Sequence, residues 1–272
     1  MGRIEPRGAD ATRSLEPAGA PFASRKTDWS NQLPETRKQA SARLAAHLAA
    51  VTRVRSAAYA NPADTAASMR LKAWQSDRLG RTYPDLLASA RYHDAARFFL
   101  NELYGPKDFS QRDVDVERIL PKLTALLPAA ALSAIADAVE LDEISEVLDQ
   151  AVLRAHGLDS AITETSYAAA YRAGSERAAR ARQITLTQEI CTAVDKLTHI
   201  PMMLTTLKLM RAPAKLAGLF ELQRFLEIGF TTFKGMKGAE EFIGIILRRE
   251  SRLMERLFAG VPDPFAGLAE TG

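Results

Sequence analysis

The chain has 272 residues, a net charge of +3 and a pI near 9.0, with 47% hydrophobic and only 7% aromatic residues. That is enough for one large helical domain or two small ones around a buried core. One cysteine, Cys191, excludes an intrachain disulfide and fits a reducing compartment, hence a cytoplasmic setting.

Residues 1–33 are polar, proline-bearing and aperiodic, and read as a disordered arm. The opening "MGRIEPRGADATRSLEP" has no apolar h-region, and Pro6 breaks the myristoylation pattern that Gly2 would begin. Pro34 opens the first helix, through "ETRKQASARLAAHLAAVTRVRSAAYA". Asn61 and Pro62 are a cap and first-turn pair for a second helix that should stop at Gly80. A third should run from Pro84 to the Gly105-Pro106 break. Ser110 and Asp113 have capping-box spacing for the next, and Pro121 should kink or restart it. Pro128 opens either two helices or one bent one, up to Gly157. Ser160 starts a short helix to about Ala173, and Ser175 a long one ending before Pro201. Two or three helices follow, split by Pro213 and "KGMKG", the last ending at Gly260. No short alternating β-branched segment occurs. The expectation is an all-α bundle of about eight to ten helices: a single domain over 34–260, an arm before it and a tail at 261–272.

Charge is unevenly spread. Residues 101–150 carry four Lys/Arg against eleven Asp/Glu, whereas 35–100 carry eleven against five. An acidic middle between basic flanks can be satisfied by pairing within the fold. A nucleic-acid surface would gather basic residues with aromatics or glycines, and they are not gathered, so no nucleic-acid partner is expected. The most apolar stretch, "HIPMMLTTLKLMRAPAKLAGLFELQRFLEIGFTTF", is interrupted by six charged residues and reads as core, not as a membrane span.

The stretch "FFLNELYGPKDFSQRD", residues 98–113, stands out. On one helical wheel for 86–104, Leu86, Tyr92, Ala95, Ala96, Phe99, Leu100, Leu103 and Tyr104 share an apolar arc. Phe98 points about 100° away from Phe99 and wants a second covering element. His93 falls inside the apolar arc, with Arg97 one turn on. Arg97, Tyr104, Lys107, Asp108 and Arg112 complete a candidate binding set with His93, although a helix-to-helix corner explains most of the stretch. "FFLNELY" resembles the signature of the bacterial FFLEELY motif family, departing from it at Asn101. The resemblance implies a soluble helical protein, roughly over residues 40–260, and supplies no catalytic residues.

No HExxH, CxxC, GxGxxG, Walker loop or GxSxG is present, so no metal, cofactor or phosphate site is expected and an enzymatic role has no support. The leading reading is a non-enzymatic scaffold or adaptor that binds another protein. The alternative is a helical bundle with an apolar ligand or haem lodged near His93 and Tyr104. An enclosed cavity lined by His93, Arg97 and Tyr104 would favour the binder, and a filled core the adaptor.

Overall fold

The computed structural model describes residues 35–103, 117–121, 124, 129–158, 161–216 and 218–269. The expected arm, Tyr104, the Gly105-Pro106 break and the caps Ser110 and Asp113 lie outside these residues. Among the described residues every regular element is a helix. They are α1 (Arg37–Ala58), α2 (Pro62–Thr82), α3 (Pro84–Ala88), α4 (His93–Phe98), a π-helical turn (Phe99–Leu103), α5 (Ala129–His156), α6 (Glu164–Gly174), α7 (Arg177–Thr198), α8 (Met203–Leu209), α9 (Arg211–Leu216), α10 (Phe220–Gly235) and α11 (Glu240–Ala259).

Caps fix several starts. Thr36 and Gln39 form a reciprocal capping box on α1, Thr36 N donating to Gln39 Oε1 at 2.9 Å. Asn61 Oδ1 accepts from Asp64 N at 3.0 Å, with Pro62 at the first helical position of α2. The cap of α6 is Thr163, paired with Ser166, not Ser160. Asp195 on α7 accepts from Ala239 N at 3.1 Å and so caps α11 from a neighbouring helix. Gly157 and Gly260 end α5 and α11 with φ of 92° and 69°, which side chains disfavour. Gly80 does not end α2. Its φ is helical, the helix runs on to Thr82, and the stop comes from Tyr83 ahead of Pro84.

α5 is one continuous helix and the hub, packing on α1, α2, α6 and α7. Its N-terminal half sets Leu132 and Ala136 against Ala40 and Leu44 of α1. Its C-terminal half meets Tyr167, Ala168 and Tyr171 of α6. The helices approach closely at Gly174, where a Cβ would lie 2.5 Å from Ala151 O. α11 crosses the other side, and its buried Arg249 grips Asp85 with both terminal nitrogens at 2.7 and 2.8 Å. Arg249 also donates to Ala269 O at 2.9 Å, and Leu268 is buried, so the C-terminal turns pack on the body.

The acidic middle finds its basic flanks inside the fold, as the pairing reading required. Arg43 of α1 meets Asp137 at 2.6 Å and Arg182 of α7 meets Glu140 at 2.8 and 3.0 Å. Arg55 reaches Asp142 at 2.6 Å and Glu146 at 3.2 Å, and Lys72 of α2 reaches Glu146 at 2.5 Å. The acidic α5 is thus held by cations from three sides.

The paired phenylalanines are buried on two faces. Phe98 is 7% exposed, covered by α10: its ring centroid lies 5.4 Å from that of Phe225, and its tip would be 2.9 Å from a Cβ at Gly229. Phe99 turns the other way, to Phe233 at 6.1 Å and Phe242 at 5.6 Å. The expected second cover over Phe98 is therefore α10.

Candidate functional site

A cavity of about 150 Å³, partly open to solvent, lies where α2, α5, α6, α7, α11 and the α4–π-turn segment converge. Each helix contributes residues at helical spacing. α2 presents Gln75, Arg78 and Leu79; α5 presents Ser145 and Asp149; α7 presents Arg180, Gln183, Ile184 and Thr187. The apolar wall is Leu86, Ala96, Phe99, Leu100, Phe242 and Ile246. Phe99 and Leu100 reach it from the first turn of the π-helix. A π turn shifts side chains out of α register and is frequent at functional positions.

The polar wall is built in layers. Glu250 accepts from Arg78 Nη1 at 2.7 Å and from the Tyr83 hydroxyl at 2.8 Å. Arg78 Nε is buried and has no hydrogen-bond partner among the described residues. Gln183 donates to Ser145 Oγ at 2.8 Å, and Ser145 in turn donates to Leu141 O. Arg180 is 5% exposed. Its Nε and Nη2 donate to Ser175 Oγ at 3.2 and 3.0 Å, its Nη1 to Gln183 Oε1 at 3.2 Å, and its guanidinium lies 4.2 Å from the Tyr171 ring centroid. Asp149, 9% exposed, accepts from Gln75 Nε2 at 2.7 Å.

Burial pushes the Asp149 carboxyl up to about 6; the Gln75 hydrogen bond opposes this and the Glu146 charge adds to it. Burial likewise raises the Tyr171 hydroxyl well above the ordinary phenol range. The Cys191 thiol, buried away from any charge, is pushed up to about 12, which makes it a small core residue and no nucleophile. Among the described residues no three His, Cys, Asp or Glu side chains gather as a metal would need.

Of the residues singled out from the sequence, His93 and Arg97 are described, and they sit elsewhere. His93 is exposed and not within an apolar arc; its Nδ1 lies 2.6 Å from Leu87 O. Residues 84–104 are not one helix: Ser89 O accepts from the amides of Tyr92 and His93 in a turn, so α4 restarts the helical phase at His93. Arg97 is exposed on the outer face of α4. Neither lines the cavity. Tyr104, Lys107, Asp108 and Arg112 lie outside the described residues. The other histidines make local contacts: His47 with Glu143 at 2.7 Å, His156 with Ser166 at 2.8 Å, His199 with Asp195 O at 2.8 Å. What connects the sequence motif to the cavity is its apolar part, Phe99 and Leu100. Sequence reading missed Asp149 and Arg180: their neighbours one turn away include Ser145 and Glu146, and Glu176, Arg177 and Gln183, so neither stands out on a helical wheel.

A family model described as a domain of unknown function (DUF8198) matches residues 54–264, which include every wall of this cavity. No curated protein and no solved structure matches the chain. Among the described residues no helix is long and apolar enough to cross a membrane.

Proposed function

The chain belongs to the DUF8198 domain family, and we propose that it binds a small molecule in the cavity between its helices, without chemistry on it. One observation carries this reading: Arg78, whose buried Nε no described group satisfies, lines a cavity of about 150 Å³. Closed cores satisfy nearly all such groups; the other two among the described residues, Glu146 Oε2 and Arg249 Nε, belong to side chains off the cavity wall. A cavity of that order accepts a body the size of benzene and is smaller than the usual drug-sized pocket. The ligand is therefore small, and it meets both an apolar and a polar wall. We also read Phe98 to Tyr104 as this chain's copy of the FFLEELY signature. Support comes from the division of labour between Phe98, which anchors α4 on α10, and Phe99, which forms cavity wall. The single buried cysteine supports a reducing, cytoplasmic setting.

The test is native mass spectrometry of protein purified from its own host, beside the cavity-filling variant Ala96→Leu. The expected result is a small adduct on the parent that is missing from the variant. An adduct equally present on both, or none on either, contradicts the reading.

A second reading, the adaptor, has its own observation. Met202, Leu209, Leu216 and Phe220 are exposed, Leu216 by 91%, and Lys208, Arg211 and Lys215 are exposed among them. Such a surface fits an apolar helix with acidic flanks from a partner protein. The double variant Leu209→Ser, Leu216→Ser should lose a partner while keeping the adduct; loss of the adduct alone contradicts this second reading.

A further inference from the structure

The geometry points to a small zwitterion with an apolar body, of the α-amino-acid type, as the ligand: its carboxylate on Arg180 and its ammonium beside Asp149. This deepens the small-molecule reading and rests on it.

The argument begins with how this molecule treats buried charge elsewhere. Arg55, Lys72 and Glu146 pair with one another, Arg249 pairs with Asp85, and on the cavity wall itself Arg78 pairs with Glu250. Two charges on that wall break the pattern. No carboxylate oxygen among the described residues lies within 4.0 Å of the Arg180 guanidinium, and no Lys, Arg or His nitrogen among them lies within 4.0 Å of the Asp149 carboxylate. Three of the guanidinium's five N–H donors are used, all on neutral oxygens. Of the Asp149 oxygens, Oδ1 holds the Gln75 bond. Lys72 and Arg180 act on the Asp149 charge only through space, without a hydrogen-bonded contact. A buried ion with no hydrogen-bonded counter-ion is costly.

Both charges, neither with a hydrogen-bonded counter-ion, line one cavity, and they are of opposite sign. A ligand carrying only a carboxylate would satisfy Arg180 but set a second negative charge near Asp149. A ligand carrying only an amine would leave Arg180 bare. A zwitterionic head supplies each with its opposite and adds no net charge to a buried site. Arg presents a planar fork suited to a carboxylate, and the Tyr171 ring already holds that fork in place. The ligand's body then meets Phe99, Leu100, Phe242 and Ile246, a wall suited to a branched or aromatic side chain.

The experiment is calorimetric titration of the full chain with L-leucine and L-phenylalanine. Parallel titrations use 4-methylpentanoate and 3-phenylpropionate, which lack the ammonium, and 3-methylbutylamine and 2-phenylethylamine, which lack the carboxylate. Benzene serves as a charge-free probe of the cavity. One of the two amino acids should bind about tenfold or more tightly than either of its halves, the factor expected from one charge-assisted hydrogen bond. Arg180→Gln should remove that advantage over the amine and leave benzene uptake unchanged. Asp149→Asn should remove the advantage over the carboxylate. Arg180→Lys, which keeps the charge but not the fork, guards against a variant that merely unfolds, and each variant is first shown to melt cooperatively. Equal or tighter binding of the carboxylate alone overturns the zwitterion and leaves the small-molecule reading intact. Benzene uptake without any amino-acid binding does the same. Failure of benzene as well as every charged probe overturns both.

Discussion

The seam between α1 and α5 and the cavity beside α7 are built from the same kinds of residue, yet they resolve their charges differently. Along the seam, Arg43, Arg55 and Lys72 each meet carboxylates of α5 or its neighbours at hydrogen-bond distance. Around the cavity, Arg180 and Asp149 are as deeply buried but hydrogen-bond only to neutral partners. A buried charge that is matched within the chain holds helices in register. One that is left unmatched beside a cavity is a standing cost to the empty protein, and is the arrangement expected where a ligand completes the set.

The sharpest way to break this comparison is to remove a charge from each region. Arg55→Ala should destabilise by about 3–5 kcal/mol in urea unfolding, because it empties a fully buried site, takes one of its two cations from buried Glu146 and breaks the bond to Asp142. Arg180→Gln, with no carboxylate to strand, should cost much less; equal losses would make Arg180 structural and erase the distinction. Phe98→Ala gives a purely apolar reference of about 3–5 kcal/mol, since the ring is buried against Phe225 and Gly229. Phe99→Ala should cost less than that, because Phe99 is half-buried and already borders a cavity.

Asp149→Asn sharpens the comparison in the opposite direction. The folded carboxyl is raised to about 6 from an ordinary value near 4. The folded state therefore holds this proton more tightly than the unfolded chain does. The resulting stability is present at low pH and is lost as pH rises through about 6. The asparagine variant should then be more stable than the parent at pH 7.5 by up to about 3 kcal/mol, with the gap closing towards pH 4. Thermal melts across that range would show it, and a gap that widens towards low pH would contradict the burial account. The smallest effect belongs to the outer surface. Leu216→Ser should change stability by less than about 0.5 kcal/mol, as for an exposed side chain making no special contact.

How far these features were legible differs from element to element. A helix start with a side-chain oxygen and a proline in register, as at Asn61-Pro62, was plain because capping is local chemistry, whereas the Thr36-Gln39 box of α1 was passed over for Pro34. The pairing of an acidic middle with basic flanks was legible from charge counts alone. The placement of His93 was not. One wheel drawn across residues 86–104 assumed a single phase, whereas the turn at 89–92 and the π turn at 99–103 change it twice. The need for cover over Phe98 could be read from the adjacent phenylalanines; that α10 supplies it, with Gly229 making room, depends on a contact more than a hundred residues distant in the chain. The cavity was invisible for the same reason. Asp149 and Arg180 lie on separate helices, and each by itself reads as a polar residue on a helix surface. Only packing shows that both are buried and which partners they lack.

The most direct test of the central claim is a high-resolution crystal structure of protein isolated from its own host with no ligand added. The account predicts density larger than water in the cavity, within hydrogen-bond distance of both Arg180 and Asp149. A cavity closed by direct contact between those two side chains, or holding water alone, would contradict it.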